Sequence, residues 1–189
     1  MTRVNHSDKE LVVRILINSF DDNKSVNHII KQDSKRAKRI RMLMEYSYDV
    51  CNLFGDVFLS DDKKGCALII LPDKRKTTIK SILLDAKLAI SCMGLSNTIK
   101  AMDREAKIKS IHPEGLLYYL WFIGVSLANQ NAGIGSRLLN EIIIEGRKQN
   151  RTICLETSTL KNLPLYEKHG FTIYKEFDFG YKLYCLKRE

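Results

Sequence analysis

The chain has 189 residues and a formal net charge of +9, a length that suits one domain with a full core better than two. Its apolar fraction of 44% and charged fraction of 28% are those of an ordinary water-soluble protein. No apolar run approaches the roughly 18 to 20 residues of a membrane span. The five cysteines are scattered and form no Cys-x-x-Cys pair, which argues against a zinc site and a disulfide framework. We therefore expect reduced thiols, a cytoplasmic location, no membrane partner and no metal.

The N-terminal third predicts two helices followed by two strands. Ser7, with Glu10 three residues later, has the pattern of a capping box and predicts a helix that ends near Phe20. Residues 21–25 form a loop by composition. A second helix is expected from about residue 34 to 53. Two antiparallel strands joined by a polar loop are then expected at residues 56–60 and 65–71.

A long basic segment without proline, residues 74–110, precedes the next strand. Gly94 is expected to divide it into two helices. Its apolar residues at helical spacing predict an inward face and are Ile79, Ile82, Leu83, Ala86 and Ile90. The segment has two interpretations, which stay open here. It either caps the sheet as a helical pair or shapes a binding pocket with a basic surface suited to an anionic ligand.

The most informative stretch is a strand, a glycine turn and a helix. The apolar run at residues 118–125 predicts a buried strand by its length and its β-branched and aromatic content. Gly133-Ile134-Gly135-Ser136 then opens a segment with one apolar helical face. The first N–H groups of that helix lack intrahelical acceptors and lie at the positive end of the helix dipole. They therefore predict a site for a phosphate or pyrophosphate.

Three blocks in this order, Gln130-x-x-Gly133-x-Gly135, Leu155-Glu156-Thr157-Ser158 and residues 162–171, resemble the GNAT superfamily of acetyl-CoA-dependent N-acetyltransferases. Within it the chain looks most like the branch that includes puromycin N-acetyltransferase. The resemblance covers roughly residues 116–186. It implies an α/β GNAT fold over residues 1–189: a mixed central sheet with helices on both faces and an extra helical pair before the central strand.

The resemblance implies acetyl-CoA as co-substrate, whose phosphates give one reason for a basic chain. The pantetheine arm would pair with the backbone of Ile123, Gly124 and Val125 like an added strand. Asn162 and Tyr166 would also contact it. The pyrophosphate would be held by the turn and helix start, namely Gln130, Asn131, Ala132, Gly133, Ile134, Gly135 and Ser136. We expect a Cβ at Gly133 or Gly135 to crowd the phosphate or the helix entry. The chain departs from the family pattern in three places: Leu127 where a proline is usual, Ala132 where Lys or Arg is frequent, and Thr159 where an asparagine is frequent.

The resemblance also assigns catalytic roles. Tyr166 would protonate the departing CoA thiolate, because a phenol with a pKa of about 10 keeps its proton at neutral pH. Glu156 is the candidate general base for the amine, with Glu114 as a weaker candidate. The N–H of Val125 would polarise the thioester carbonyl. Because no cysteine stands at a nucleophile position, with Cys154 expected in the core, the amine would attack directly in a ternary complex.

The acceptor is the least defined part of this hypothesis. A primary amine on a small molecule or a peptide is expected, and Tyr46, Tyr48 and Phe54 are candidate pocket residues. Two alternatives stay open. One is a non-catalytic acyl-CoA-binding or sensor module. The other, ranked lower, is a basic nucleic-acid-binding protein. A homodimer is also left open.

Overall fold

The computed structural model describes residues 1–189, except for the side chain of Leu95. One seven-stranded mixed sheet has the order β1-β2-β3-β4-β5-β7-β6, in which only β4 and β5 pair in parallel. The strands are β1 Thr2–Arg3, β2 Gly55–Leu59, β3 Gly65–Ile70, β4 Leu117–Val125, β5 Thr152–Thr157, β6 Thr172–Asp178 and β7 Lys182–Arg188. The helices are α1 Lys9–Phe20, α2 Lys24–Ile29, α3 Arg36–Phe54, α4 Ile79–Leu88, α5 Leu95–Lys109, α6 Ile134–Lys148 and α7 Leu163–Lys168.

Helices cover both faces of the sheet, as predicted. Alternate residues of a strand point to opposite faces, so each central strand contributes to two cores. In β3, Cys66 and Leu68 pack with α1 and α3, whereas Ala67 and Ile69 pack with α6. All six residues of β3 are buried, which explains why its sequence shows a continuous apolar run instead of alternation.

The N-terminal helix begins differently from the prediction. Asn5, not Ser7, accepts the capping hydrogen bond, and Asp8 completes the capping box by accepting from the Asn5 N–H. This box starts a 3-10 turn, from which α1 continues without a side-chain cap. Asn5 with Asp8 and Ser7 with Glu10 both have the spacing of a capping box, and the first pair lies nearer the start of the turn. The residues after α1 form a further short helix, α2, which is capped by Asn23.

The basic segment forms the two predicted helices, but its apolar face does not point inward. Gly94, at φ +75°, separates α5 from a π-helical turn that prolongs α4. Ile79, Leu83 and Ile90 are 81%, 64% and 79% exposed. The expectation of an inward face is therefore wrong, because α4 packs through Ser81 and Leu88 instead. Helical spacing identifies a common face but does not say what that face meets.

The central strands β4 and β5 pair over three residues and then separate. Their parallel register runs from Leu117, opposite Thr152, to Tyr119, opposite Cys154. Just beyond, Trp121 is an extra residue in β4, because the partners of Leu68 and Ile69 are Phe122 and Leu120. Such a bulge bends a strand and increases its twist. The outcome is a cleft between the carboxyl ends of two neighbouring parallel strands.

None of the described helices is long and apolar enough to cross a membrane. In the same described residues, no three His, Cys, Asp or Glu side chains form a group that could hold a metal ion.

Candidate active site

A cavity of about 800 Å³ opens where β4 and β5 separate. Its walls come from the end of β4, the end of β5 with the following loop, the helices α1 to α5, and α7. It brings together Ile123, Glu156, Asn162 and Tyr166, four of the residues singled out in the sequence. A smaller chamber of about 490 Å³ adjoins it, and both are lined by Tyr119 and Trp121.

Glu156 stands on β5 just beyond the last residue that pairs with β4. The hydroxyl of Tyr119 donates a hydrogen bond to its Oε2, while Oε1 is buried without a partner among the described residues. Burial raises the pKa of this carboxyl to about 7, against the opposing effects of the Tyr119 hydrogen bond and the nearby Arg104. A carboxyl with this pKa exchanges a proton readily near neutral pH.

Tyr166 is held on α7 in a buried position, and its ring meets the ring of Phe171 edge-on at 5.9 Å between centroids. The turn after α7 fixes this contact, because the Phe171 N–H donates to the Tyr166 carbonyl at 3.1 Å and Gly170 adopts φ +77°. Burial raises the pKa of the Tyr166 phenol to about 12. The hydroxyl therefore keeps its proton at neutral pH and can act as a hydrogen-bond or proton donor in the cavity.

The free edge of β4 offers backbone groups to the cleft. The Ser126 N–H donates to the carbonyl of Lys64, the residue before β3, at 2.8 Å. Because peptide groups alternate along a strand, those of Val125 and Ile123 face away from β3, whereas that of Gly124 faces it. The Val125 carbonyl accepts from the Ser19 hydroxyl at 3.0 Å, and by the same alternation its N–H lies on the edge away from β3.

The glycine at position 124 has a packing role. A Cβ on Gly124 would stand 2.9 Å from Ser19 Oγ, so glycine lets α1 approach the strand. This close approach is what allows the Ser19 hydroxyl to reach the Val125 carbonyl. By the alternation of peptide groups, the predicted backbone pairing with a ligand strand is available at Ile123 and at the N–H of Val125 but not at Gly124.

The start of α6 has the free N–H groups that the sequence predicted. Gly133 is the N-terminal residue outside the helix, in the left-handed region at φ +75°, and no side chain caps the helix. The reason for this glycine is therefore its backbone conformation, because a Cβ added there would meet no atom within 4 Å. At Gly135 a Cβ would meet only Val125 Cγ2, at an ordinary 3.6 Å. The expected crowding of the helix entry is thus wrong for both glycines.

The other residues of the turn divide into two groups. Gln130, Asn131 and Ala132 are exposed beside the helix start. Ile134 is buried in the core under α6, so only its backbone faces outward. The hydroxyl of Ser136 lies 2.9 Å from Nε2 of His169, which ties the start of α6 to the end of α7. His169 therefore positions the helices.

The loop after β5 brings Asn162 to the cavity, where it precedes α7 with no capping hydrogen bond from its side chain. Thr157 and Ser158 are buried and also line the cavity. The Thr157 hydroxyl accepts from the Thr159 N–H at 3.1 Å, and the Ser158 Oγ has no partner among the described residues.

Of the candidate pocket residues, the structure places one in the cavity. Tyr46 lines it and donates a hydrogen bond of 2.6 Å to Asp85. Tyr48 and Phe54 belong to the core between α3 and the sheet and line neither chamber. The alternative base Glu114 is exposed and outside both chambers. Cys154 is fully buried, as expected, and burial raises the pKa of its thiol to about 12.

The sequence reasoning missed Tyr119 as a functional residue. Its signal was present, because a parallel pairing of residue 119 with residue 154 puts Tyr119 and Glu156 on the same face of the sheet. That register could be derived only by aligning two strands across a helical crossover. Nothing in the local apolar run distinguishes Tyr119 from Tyr118, which faces the opposite core.

Comparison with known proteins gives this geometry a family context. Residues 99–173 match the family model described as acetyltransferase (GNAT) domain. That stretch contains most of α5 and all of β4, α6, β5 and α7, and hence the cleft and both candidate catalytic side chains.

Solved structures of similar fold align with nearly the whole chain. One is described as histone acetyltransferase HPA2 and related acetyltransferase from Corynebacterium glutamicum: TM-score 0.69, 17% identity, 98% of this chain and 93% of that one. The C-terminal condensation domain of Ebony, in complex with beta-alanyl-dopamine, has a TM-score of 0.73 and 12% identity, and the match covers 100% of this chain and 97% of that one. A chain of the NatC complex bound to Gag peptide and CoA has a TM-score of 0.54 and 14% identity, and the match covers 98% of this chain and 94% of that one. The molecule has the mixed α/β GNAT fold that the sequence predicted.

Proposed function

We propose that residues 1–189 form one domain that transfers an acetyl group from acetyl-CoA to a primary amine. Two findings support this proposal: the chain has the GNAT fold, and residues 99–173 match the GNAT acetyltransferase domain. The observation that carries the proposal is the placement of Glu156 and Tyr166 in one cavity, beside the open edge of β4. The cytoplasmic location and the puromycin N-acetyltransferase-like branch remain predictions.

The residues present fit a CoA ester. The peptide groups of Ile123 and the N–H of Val125 are available to an extended amide-containing arm, and the uncapped N–H groups at the start of α6 are available to phosphate. A CoA structure of the same fold supports this choice of co-substrate. When bound, acetyl-CoA supplies an activated acyl group with a thiolate as leaving group.

The chain's own groups then divide the proton transfers. Glu156, with its pKa near 7, accepts a proton from the ammonium form of the acceptor, directly or through water. The Tyr166 hydroxyl holds its proton until it donates it to the departing sulfur, and it is reprotonated by the second proton, which the acceptor nitrogen loses as the amide forms. In this proposal the N–H of Val125 donates to the acyl oxygen. None of the five cysteines lines the cavity, which favours direct attack by the amine.

The experiment is a calorimetric titration of acetyl-CoA into three proteins: wild type, Gly135→Glu and Gly135→Ala. Gly135 is chosen over Gly133 because the fold accepts a Cβ there, and an acidic residue in the first turn of a helix is favourable. We expect micromolar binding by the wild type, comparable binding by Gly135→Ala, and a loss of at least about tenfold in Gly135→Glu from charge repulsion.

Other results would point to the alternatives. Normal binding without acetyl transfer to any amine, unchanged by Tyr166→Phe, would support a sensor module. No binding by folded wild type, together with salt-sensitive binding of DNA or RNA, would support a nucleic-acid-binding protein.

A further inference from the structure

The deep part of the cavity is apolar. Its inner wall is made by buried side chains from α2, α3, α4 with the following turn, α5 and β4: Val26, Leu43, Leu88, Met93, Ala101 and Phe122. None of these residues is more than 8% exposed. Such a wall offers no hydrogen bonds to a ligand, so it stabilises a ligand by removing apolar surface from water.

The mouth of the same cavity is also apolar. Ile82 on α4 and Met102 on α5 both line the cavity, and they are 54% and 67% exposed, so they stand at its opening. On α4 the exposed apolar face continues away from the opening through Ile79 and Leu83. Large apolar side chains on both sides of an opening favour the entry of an apolar ligand.

The charged groups of the lining are three bases and three acids: Arg75, Arg104 and Lys109, and Asp85, Glu105 and Glu156. Arg104 contacts Glu105 at 3.0 Å and also donates to the hydroxyls of Tyr181 and Ser25. Asp85 accepts from Tyr46. Glu156 is the carboxyl left for the reacting amine. Because the bases of the lining equal its acids in number, a polycation with several ammonium groups would enter a cavity that has no excess of acids to match them.

We infer that the acceptor is a primary amine on an apolar body, an alkyl chain or an aromatic ring, which fills the chamber between α2, α3, α4 and α5. This inference rests on the proposed function for the identity of the reacting group, but binding to the chamber can be measured without turnover. It favours an apolar acceptor over the anionic ligand that the sequence left open: although the segment from 74 to 110 is basic overall, most of its residues that line the cavity are apolar.

The binding experiment uses Trp121, the only tryptophan of the chain, which lines both chambers. Its fluorescence is followed during titration with n-butylamine, n-hexylamine, n-octylamine, 2-phenylethylamine and spermidine. Each added CH2 should tighten the Kd about threefold to fourfold until the chamber is full, and spermidine should bind more weakly than n-octylamine. No gain with chain length, or tighter binding of spermidine, would overturn the inference.

A matched pair of surface variants locates the site. Ile82→Lys places a charge at the opening, whereas Ile79→Lys places the same charge one turn earlier on α4, outside both chambers. Both side chains are exposed, so the fold should tolerate both changes. We expect Ile82→Lys to weaken n-octylamine binding about tenfold and Ile79→Lys to leave it unchanged. Equal effects would overturn the inference.

Activity measurements separate the remaining possibilities. Acetyl-CoA and octanoyl-CoA are compared as donors to n-butylamine and n-octylamine. The inference predicts a preference for n-octylamine with acetyl-CoA as donor. A preference for octanoyl-CoA with n-butylamine would assign the chamber to the acyl chain and overturn it. Chain-length-dependent binding without any transfer would instead leave the apolar site intact and count against the proposed function.

Discussion

The hydroxyl of Tyr119 donates a hydrogen bond to the carboxylate of Glu156 across the gap where β4 leaves β5. Tyr119 is the last residue of β4 that pairs with β5, and Glu156 follows its partner, Cys154, by two residues. The pair therefore marks the inner end of the cleft. It leaves one carboxyl oxygen buried and without a partner among the residues that the structure describes.

The raised pKa of Glu156 predicts the pH dependence of acetyl transfer. The base must be deprotonated, so kcat/KM should rise with pH and level off above a pKa of about 7. Glu156→Gln should lose this dependence and lower kcat by about two to four orders of magnitude. The measurement is a pH–rate profile of CoA release. A profile with its rise near pH 4.5, the ordinary value for glutamate, would contradict the role of burial.

Removing the Tyr119 hydroxyl should shift that profile without abolishing activity. The hydrogen bond from Tyr119 stabilises the carboxylate and lowers its pKa, so Tyr119→Phe should move the rise in kcat/KM to higher pH. The matched control is Tyr118→Phe, which removes the neighbouring hydroxyl on the opposite face of the sheet. A purely structural role for Tyr119 would lower the rate at every pH and leave the midpoint in place.

The carboxyl of Glu156 should make the free energy of unfolding fall as the pH rises, which is the opposite of the effect of most glutamates. Because its pKa is raised on folding from 4.5 to about 7, the protonated form favours the folded state. This stabilisation is full below about pH 4.5 and is lost as pH rises through 7. Relative to Glu156→Gln, the wild type should lose about 1 to 3 kcal/mol of unfolding free energy between pH 4.5 and 8. Urea denaturation at both pH values provides the measurement, and a constant difference would refute the shift.

Direct attack by the amine predicts that Cys154 is dispensable. Its thiol is buried, and burial raises the pKa to about 12, so little thiolate forms at neutral pH. Cys154→Ala should keep kcat within about twofold and cost about 1 kcal/mol of stability from the lost packing. Steady-state kinetics and thermal unfolding measure the two effects. Loss of turnover in a folded Cys154→Ala protein would indicate a covalent route.

Much of the fold followed from local patterns. The continuous apolar run of β3 and the strand, glycine turn and helix from β4 to α6 gave elements whose observed bounds differ by only a few residues from the predicted ones. These signals are local, since they depend on periodicity and on turn chemistry. The positive φ of Gly133 belongs to the same class of signal.

Local patterns could not show which part of the molecule each face of a helix or strand packs against. Ile79 and Ile82 share a helical face that sequence alone assigns to a core, yet both are exposed in the structure. Tyr119 and Tyr118 are equivalent in sequence until the register with β5 assigns them to opposite faces. The acceptor chamber is built by α2 to α5, whose packing depends on long-range contacts. Its chemistry therefore became visible only in three dimensions.

The most direct test compares the rate of acetyl transfer to n-octylamine, measured as CoA release, between wild type and Tyr166→Phe, each saturated with acetyl-CoA. The account predicts that Tyr166→Phe lowers kcat by about two to four orders of magnitude while the Kd for acetyl-CoA stays within about threefold, because only the proton donor is removed. The matched control Tyr48→Phe, a buried tyrosine outside both chambers, should keep its kcat. An unchanged kcat in Tyr166→Phe would contradict the central claim that this phenol protonates the leaving thiolate.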